Sequence, residues 1–400
     1  MKEIRVGFIG TGVISHRHMK NYEKIPYVKV VAICDIDKAK MDAWGERYGI
    51  PEKDRYTDYR ELLARDDIDS VDVCVHNNLH APLSIAVMKA GKHCFCEKPM
   101  AASYRDAKTM YDAWNAISKP QGKEFGIQIS TLYEPQTRLA RKMVQAGDLG
   151  HVYYVRCLGH RRRGRPGLDM TQLSKDFFSK ELAGHGALFD MGIYHIAQML
   201  FILGLPELKS VSGSVYTELA QSQKVLDGRE FGVEELGLGF AKFENNLTFD
   251  FMESWALMID EVGSSFIAGS KGGLRFVSDP PAPFGDGRRV PGLKYITRMG
   301  ERDVDIDLRV SANTGFEHGD DPDLVYYDEN HAHWYAFLSG KIPARYPTAE
   351  IALATAKLSE GIFLSSQLGR EIQADEIEGL SVSTAMRRQE TPWGVFEYEF

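Results

Sequence analysis

The first third of the chain alternates short apolar runs with amphipathic stretches. Ile4–Ile9, Val28–Cys34, Val71–Val75 and His93–Cys96 are β-rich runs of strand length. Between them, Arg17–Lys24, Lys38–Tyr48, Tyr59–Arg65, Pro82–Ala90 and Tyr104–Ala116 carry apolar positions at helical spacing. Strands that alternate with helices pair in parallel, because parallel neighbours need crossover connections, so the pattern predicts a parallel α/β sheet covered on both faces. The polar Pro/Gly stretch 118–123 ends this unit and divides the chain into domains 1–124 and 125–400. One more apolar run, Phe125–Ile129, and a helical segment, Gln136–Ala146, follow it. From Gly150 the period becomes two, at His151–Leu158, Lys209–Thr217, Glu235–Phe243, Leu247–Leu257 and Gly273–Phe276. Such runs predict a mixed or antiparallel sheet in an α+β second domain, with helices at Gly186–Leu203, Asn330–Leu338 and Glu350–Leu368. Pro280–Pro291, dense in Pro, Gly, Asp and Arg, is the expected mobile loop.

Composition narrows the class. A chain of 400 residues with 44% hydrophobic and 26% charged positions has the balance of a two-domain globular protein. The net charge of −8 opposes binding to nucleic acid or to an anionic membrane. Five cysteines in this length make no disulfide framework; reduced thiols in strands fit a cytoplasmic protein. The start, MKEIRVGFIG, places charges where a secretion signal needs an apolar stretch. The longest uncharged apolar run, Met191–Pro206, contains His195 and Gln198 and falls short of the ~20 residues of a membrane span.

Candidate chemistry begins at the end of the first strand. Gly10-Thr11-Gly12-Val13-Ile14-Ser15 opens a helical stretch: the first glycine permits a tight turn, the second lets backbone approach a pyrophosphate, and the helix N-terminus receives the charge. Ser15 replaces the usual third glycine. Asp35 ends the second strand 23 residues past Gly12, near the ~20-residue spacing at which a carboxylate meets the adenosine ribose hydroxyls. A 2′-phosphate there would face a like charge, so NAD is expected rather than NADP. The first domain is thus expected to be a doubly wound Rossmann unit.

The pattern that follows is more specific. Val71-Asp72-Val73-Cys74-Val75-His76-Asn77-Asn78-Leu79-His80, then Ala90-Gly91-Lys92-His93, Glu97-Lys98-Pro99 and finally 184–195 (GHGALFDMGIYH) occur in order. Together with the glycine motif they resemble the Gfo/Idh/MocA family of sugar and cyclitol oxidoreductases over nearly the whole chain. The resemblance implies a C-terminal domain with a large, mostly antiparallel open-faced sheet, and a homo-oligomer, dimer or tetramer. It also implies NAD contacts from Gly10, Thr11, Gly12, Val13, Ile14, Asp35, Ile36, His76, Asn77, His80, Glu97 and Lys98, and a cis Lys98–Pro99 bond. Two departures stand out: the family's Thr-Pro-Asn is Val75-His76-Asn77 here, and its frequent histidine four residues after the aspartate is Tyr194, followed by His195. The tyrosine form also occurs in the family.

Oxidising a secondary alcohol needs a proton acceptor and a group that stabilises the developing carbonyl oxygen. Lys98 closes a strand at the edge where open α/β sheets place ligands, and is expected either to polarise that oxygen or, with a lowered pKa, to shuttle the proton. Asp190 and Tyr194, four apart, are expected on one helical face. Tyr194 is the expected acid/base group, with His195, about 100° away, as the alternative. Tyr133 and Gln136 are expected to face the cleft. The basic cluster His160, Arg161, Arg162, Arg163 and Arg165 reads as a solvated edge or subunit contact, or as a clamp in which His160, Arg161 and Arg163 hold an anionic or hydroxylated sugar. His331 either reaches the substrate or caps its helix. His76 and His80 share an i,i+4 spacing with no third ligand nearby, so no metal is expected. The expected activity is NAD-dependent hydride transfer from a sugar, glycoside or cyclitol hydroxyl. The rivals are an NAD-dependent glycosidase, oxidising its substrate transiently with no net redox change, and a non-enzymatic dinucleotide sensor.

Overall fold

The computed structural model describes residues 3–219, 230–279, 290–308 and 329–399. The apolar runs of the first domain become β1 (Ile4–Ile9), β2 (Val28–Cys34), β4 (Ser70–Val73) and β5 (His93–Cys96); β3 (Arg55–Tyr56) and β6 (Phe125–Ile127) complete a six-stranded sheet. All its pairings are parallel, in the order β3-β2-β1-β4-β5-β6. The fully buried run Phe125–Ile127 belongs to this sheet, so the expected boundary at 124/125 falls one strand too early. Helices α1 (Val13–Tyr22), α2 (Lys38–Tyr48), α3 (Tyr59–Leu63), α4 (Asn77–Lys89) and α5 (Tyr104–Ala113) cover the two faces. Ile9 pairs with Cys34 on one side and Val73 on the other. Gly10, Asp35 and Cys74 therefore meet at one sheet edge, where the strand order reverses and ligands bind.

The second domain carries a nine-stranded sheet. Its strands are β7 (Val152–His160), β8 (Leu208–Tyr216), β9 (Leu236–Phe243), β10 (Thr248–Ser254), β11 (Phe266–Gly269), β12 (Gly272–Asp279), β13 (Val290–Met299), β14 (Arg302–Leu308) and β15 (Ile372–Gln373). Every pairing is antiparallel except β7 with β10. Residues 280–289 of the expected loop lie outside the described residues.

The helices of this domain are α6 (Pro135–Ala146), α7 (Lys180–Ala183), α8 (Ala187–Asp190), α9 (Gly192–Leu203), α10 (Asn330–Leu338), α11 (Thr348–Leu368) and α12 (Glu376–Leu380). Along β9, Gly237, Gly239 and Ala241 point inward while Leu238, Phe240 and Lys242 point out. The small inward residues let α8 lie close on the sheet: a Cβ at Gly237 would come 2.3 Å from Leu188. One continuous apolar core joins both sheets, from Ile9 and Val73 through Phe249 to Ile362. α10 packs under the first sheet, where Trp334 stacks on Phe95 at 5.2 Å and Tyr335 meets Tyr22 at 5.0 Å.

The chain then returns to its beginning. Ser383 and Thr384 bond the buried Asp106 of α5, and the hairpin β16 (Arg388–Thr391) and β17 (Gly394–Glu397) sets Phe396 and Tyr398 against Tyr59 of α3.

Candidate active site

The turn after β1 has the geometry its glycines predict. Gly10 has φ +96°, and a Cβ there would lie 2.2 Å from the Cys74 carbonyl oxygen, so only glycine fits. Nothing lies within 4 Å of a Cβ at Gly12, which leaves its backbone open to approach. The first turn of α1 has no side-chain cap. Ser15 is buried; its hydroxyl donates to the Gly12 carbonyl at 2.7 Å and accepts the Trp44 indole N–H at 2.9 Å. Asp35 Oδ2 accepts from the Thr11 N–H and hydroxyl at 2.7 and 2.8 Å, and Oδ1 from the Asp37 N–H at 2.9 Å. A carboxylate offers about four acceptor positions, so one is left for a ribose hydroxyl. Val13 and Ile36 are exposed, Ile14 half-buried. An open glycine, an uncapped helix start and a fixed carboxylate suit a dinucleotide.

The reacting end is built around Lys98, whose bond to Pro99 is cis. Its Nζ donates to Asp190 Oδ1 at 2.6 Å and lies 5.0 Å from the centre of the Tyr194 ring. The second Asp190 oxygen accepts the indole N–H of the fully buried Trp255 at 3.0 Å. Burial works against the ammonium, but Asp190 and Tyr194 outweigh it and raise the Lys98 pKa above the ordinary lysine range. These neighbours favour the charged, polarising form of Lys98 over the expected alternative of a lysine with lowered pKa. Burial raises the Tyr194 phenol, with Lys98 pulling against it.

The premise that placed Asp190 and Tyr194 together was wrong, although the pair does meet at Lys98. The helix expected over Gly186–Leu203 breaks at Met191, and the segments on either side are bent by 45°. Asp190 ends α8 and Tyr194 lies in the first turn of α9, so the two converge across a kink.

His195 turns away from Lys98's ring partner to a different carboxylate. Its Nδ1 lies 2.9 Å from Oε2 of Glu253, a completely buried residue of β10, while the imidazole keeps about a third of its surface open (32%). Burial lowers the imidazole pKa, but Glu253 prevails and raises it above the usual histidine value. Burial also raises Glu253.

Comparison with known proteins places this geometry. A family model described as "Oxidoreductase family, NAD-binding Rossmann fold" matches residues 4–120, and the "GFO/IDH/MocA C-terminal domain" matches 137–275, together more than half of the chain. The chain belongs to the Gfo/Idh/MocA family. NAD is its cofactor class. D-glucoside 3-dehydrogenase of Escherichia coli is 28% identical over 264 residues, 64% of this chain and 72% of that protein. A glycosyl hydrolase family 109 protein of Shewanella pealeana is 36% identical over 163 residues, 38% of this chain and 34% of the other. Other relatives are matched over about half of their length. A structure of levoglucosan dehydrogenase with NADH and levoglucosan has the same fold, with TM-score 0.74, 20% identity, 93% of this chain and 100% of that one.

Within this Gfo/Idh/MocA chain several expected contacts are redirected. His80 is buried, with Nδ1 2.7 Å from the Pro99 carbonyl and Nε2 3.2 Å from that of Val75, so both ring nitrogens are spent bracing the two loops. Glu97 is buried as well, Oε1 bonded to His18 and Oε2 to the Lys98 N–H, so it positions the lysine segment from behind. His331 is buried against His18 at 4.3 Å, under the first sheet, because α10 packs beside α1; it cannot touch a substrate. Tyr133 does not face the cleft either: it stacks on Tyr346 at 4.9 Å and meets His333 at 5.2 Å. Gln136 is buried on Glu134.

The basic cluster divides. Arg165 is fully buried between Asp169 and Glu235 and is structural. Arg163 is exposed, 3.8 Å from Asp169. His160 is half-buried near the Leu257 carbonyl. Arg161, half-buried, donates to Gly164 O and acts electrostatically on His195 and Glu253. His76 heads α4, exposed, 3.7 Å from Asp176, and Asn77 donates to Ala183 O. Trp255 and Glu253 were missed. Their strand was legible, but only its packing against α8 and α9 shows that two residues on one of its faces, two positions apart, reach His195 and Asp190.

Proposed function

We propose that the protein oxidises a secondary hydroxyl of a sugar, glycoside or cyclitol with NAD. The observation that carries this reading is the Lys98 ammonium held between the Asp190 carboxylate and the Tyr194 ring at the carboxyl edge of the first sheet. NAD, when bound, supplies the hydride acceptor. Gly10, Thr11, Gly12, Val13, Ile14, Asp35 and Ile36 would hold its adenosine and pyrophosphate, with His76 and Asn77 further along the crevice. Lys98 polarises the substrate oxygen, and Asp190 fixes the lysine and orients a neighbouring hydroxyl. Tyr194, kept protonated by burial, donates a hydrogen bond to the substrate. His195, charged more readily through Glu253, takes the hydroxyl proton and releases it to solvent at its open edge. The Arg161 side supports the outer part of the sugar, with His160 and Arg163 beside it.

A second reading follows from the glycosyl hydrolase likeness: transient oxidation, elimination of the aglycone and return of the hydride at the same site. Incubation with an aryl glycoside and catalytic NAD separates the two. NADH accumulating with intact glycoside supports the dehydrogenase; free aglycone without NADH supports the glycosidase, and neither product defeats both.

Self-association belongs to the same proposal. Leu238 and Phe240 of β9 and Tyr216 of β8 stand exposed on the outer face of the large sheet, a surface suited to a second copy of the chain. Five cysteines, all buried and unpaired, suit the reducing cytoplasm. Among the described residues no single helix is long and apolar enough to cross a membrane.

A further inference from the structure

We propose that the C-terminal hairpin forms one wall of the adenine site, with Trp393 stacking on the base. This rests on the NAD reading of the first domain. The strand order places β1 between β2 and β4, so the loops after β2 and β4 form the two lips on either side of the Gly10–Gly12 turn. The tail is fastened to both. At one lip, Pro82 inside α4 has no N–H to give the Asn78 carbonyl four residues earlier, and the Met386 N–H takes that acceptor at 2.9 Å. At the other, the Trp393 indole N–H donates to the Ile36 carbonyl at 2.8 Å, one residue past Asp35.

The hairpin between these ties is firmly based. Phe396 is buried against Tyr59 with Arg60 5.2 Å over its ring, and Tyr398 stacks on Tyr59 at 5.9 Å. Thr391 pairs with Gly394, which has φ +124°, so Pro392 and Trp393 form the tip of a tight turn. The indole at that tip is 47% exposed, beside the exposed Ile36, whereas Trp44, Trp114, Trp255 and Trp334 are 0–3% exposed. A rigid, half-covered aromatic plane next to a ribose-binding carboxylate matches a planar purine, whose π-face stacks on aromatic side chains. The alternative is that Trp393 only fastens the tail to the β2 loop.

Calorimetric titration of the full chain with ADP-ribose and with NADH tests this, together with acrylamide quenching of tryptophan emission. Trp393 is the one accessible indole of the five, so quenching reports on it directly. Trp393→Ala should weaken both ligands about tenfold, the loss of one stacked base. Trp393→Phe, which keeps a ring and loses the N–H, should stay within about threefold of wild type. Saturating ADP-ribose should shield the wild-type emission from acrylamide. Unchanged ADP-ribose affinity in Trp393→Ala, or unshielded emission in the saturated wild type, overturns the wall while leaving the cofactor reading in place. Wild type that binds neither ligand overturns both.

Discussion

Gly159 of β7 sits opposite Glu253 in the sheet, and a Cβ at that position would come 2.0 Å from Glu253 Oε2 and 2.3 Å from His195 Nδ1. The missing side chain is the room in which the His195–Glu253 pair exists. Gly159→Ala should therefore lower kcat by on the order of 100-fold, as displacements of about 1 Å do, with the circular dichroism spectrum retained. Lys98→Ala should reduce turnover by at least about 1000-fold while calorimetric NADH affinity stays within about threefold, because the lysine serves the substrate oxygen. Glu253 also fixes a pH dependence. Its carboxylate favours the imidazolium and holds the His195 pKa up, and alcohol oxidation needs neutral imidazole, so kcat/KM rises with pH through that raised value. In Glu253→Gln the rising limb should move to lower pH. A limb that stays in place assigns the proton to another group, Tyr194 first.

Among the elements, α1, β4 and β5 are locked together by one buried side chain. His18 lies 2.8 Å from Asp72 and 2.7 Å from Glu97, with the Tyr22 hydroxyl also on Asp72. Burial opposes charge on His18, but Cys74, Asp72 and Glu97 outweigh it and raise its pKa well above 6.5. This stabilisation is complete below the unfolded value and fades as pH rises through the raised folded value. His18→Leu should cost about 3–5 kcal/mol, since two buried carboxylates lose their partner, and the part of the pH dependence of urea unfolding that comes from His18 should disappear. Element boundaries were legible where local pattern decides them. Ile4–Ile9, Val28–Cys34 and His93–Cys96 are strands at the expected residues because a parallel strand buried on both faces is a continuous apolar run. α4 begins at Asn77, five residues before the expected start, because Pro82 imitates a first-turn proline while its interior cost is met by the Met386 N–H, 304 residues further on. The break at Met191 is marked in sequence only by Gly192 after Asp190, and a single glycine within a helical pattern does not by itself end a helix. His331 misled because nothing near it in sequence says that α10 folds back against α1.

At the scale of the molecule, the proposed self-association rests on the exposed sheet face. If the sheet face is the contact, light scattering should find the wild type self-associated and Phe240→Glu, which places a charge on the outward row of β9, monomeric, with little change in thermal stability because Phe240 is 57% exposed. Fold class and domain order were readable because strand–helix alternation and period-two patterning are local, whereas the boundary failed because β6 completes the first sheet from beyond the polar stretch. Lys98 and Asp190 were readable from motif as candidates, but Trp255, which holds Asp190, and Glu253, which holds His195, follow from packing across the sheet. The returning tail has one more consequence. The first five strands of the cofactor domain are made before their supports: its sixth strand, the helix beneath its sheet and the hairpin on its rim all follow later in the chain. Vectorial synthesis thus leaves the first sheet without the helix beneath it and the hairpin on its rim until residues 330–397 have been made. A gene fragment cut at the interdomain stretch would encode a permanently unfinished nucleotide fold.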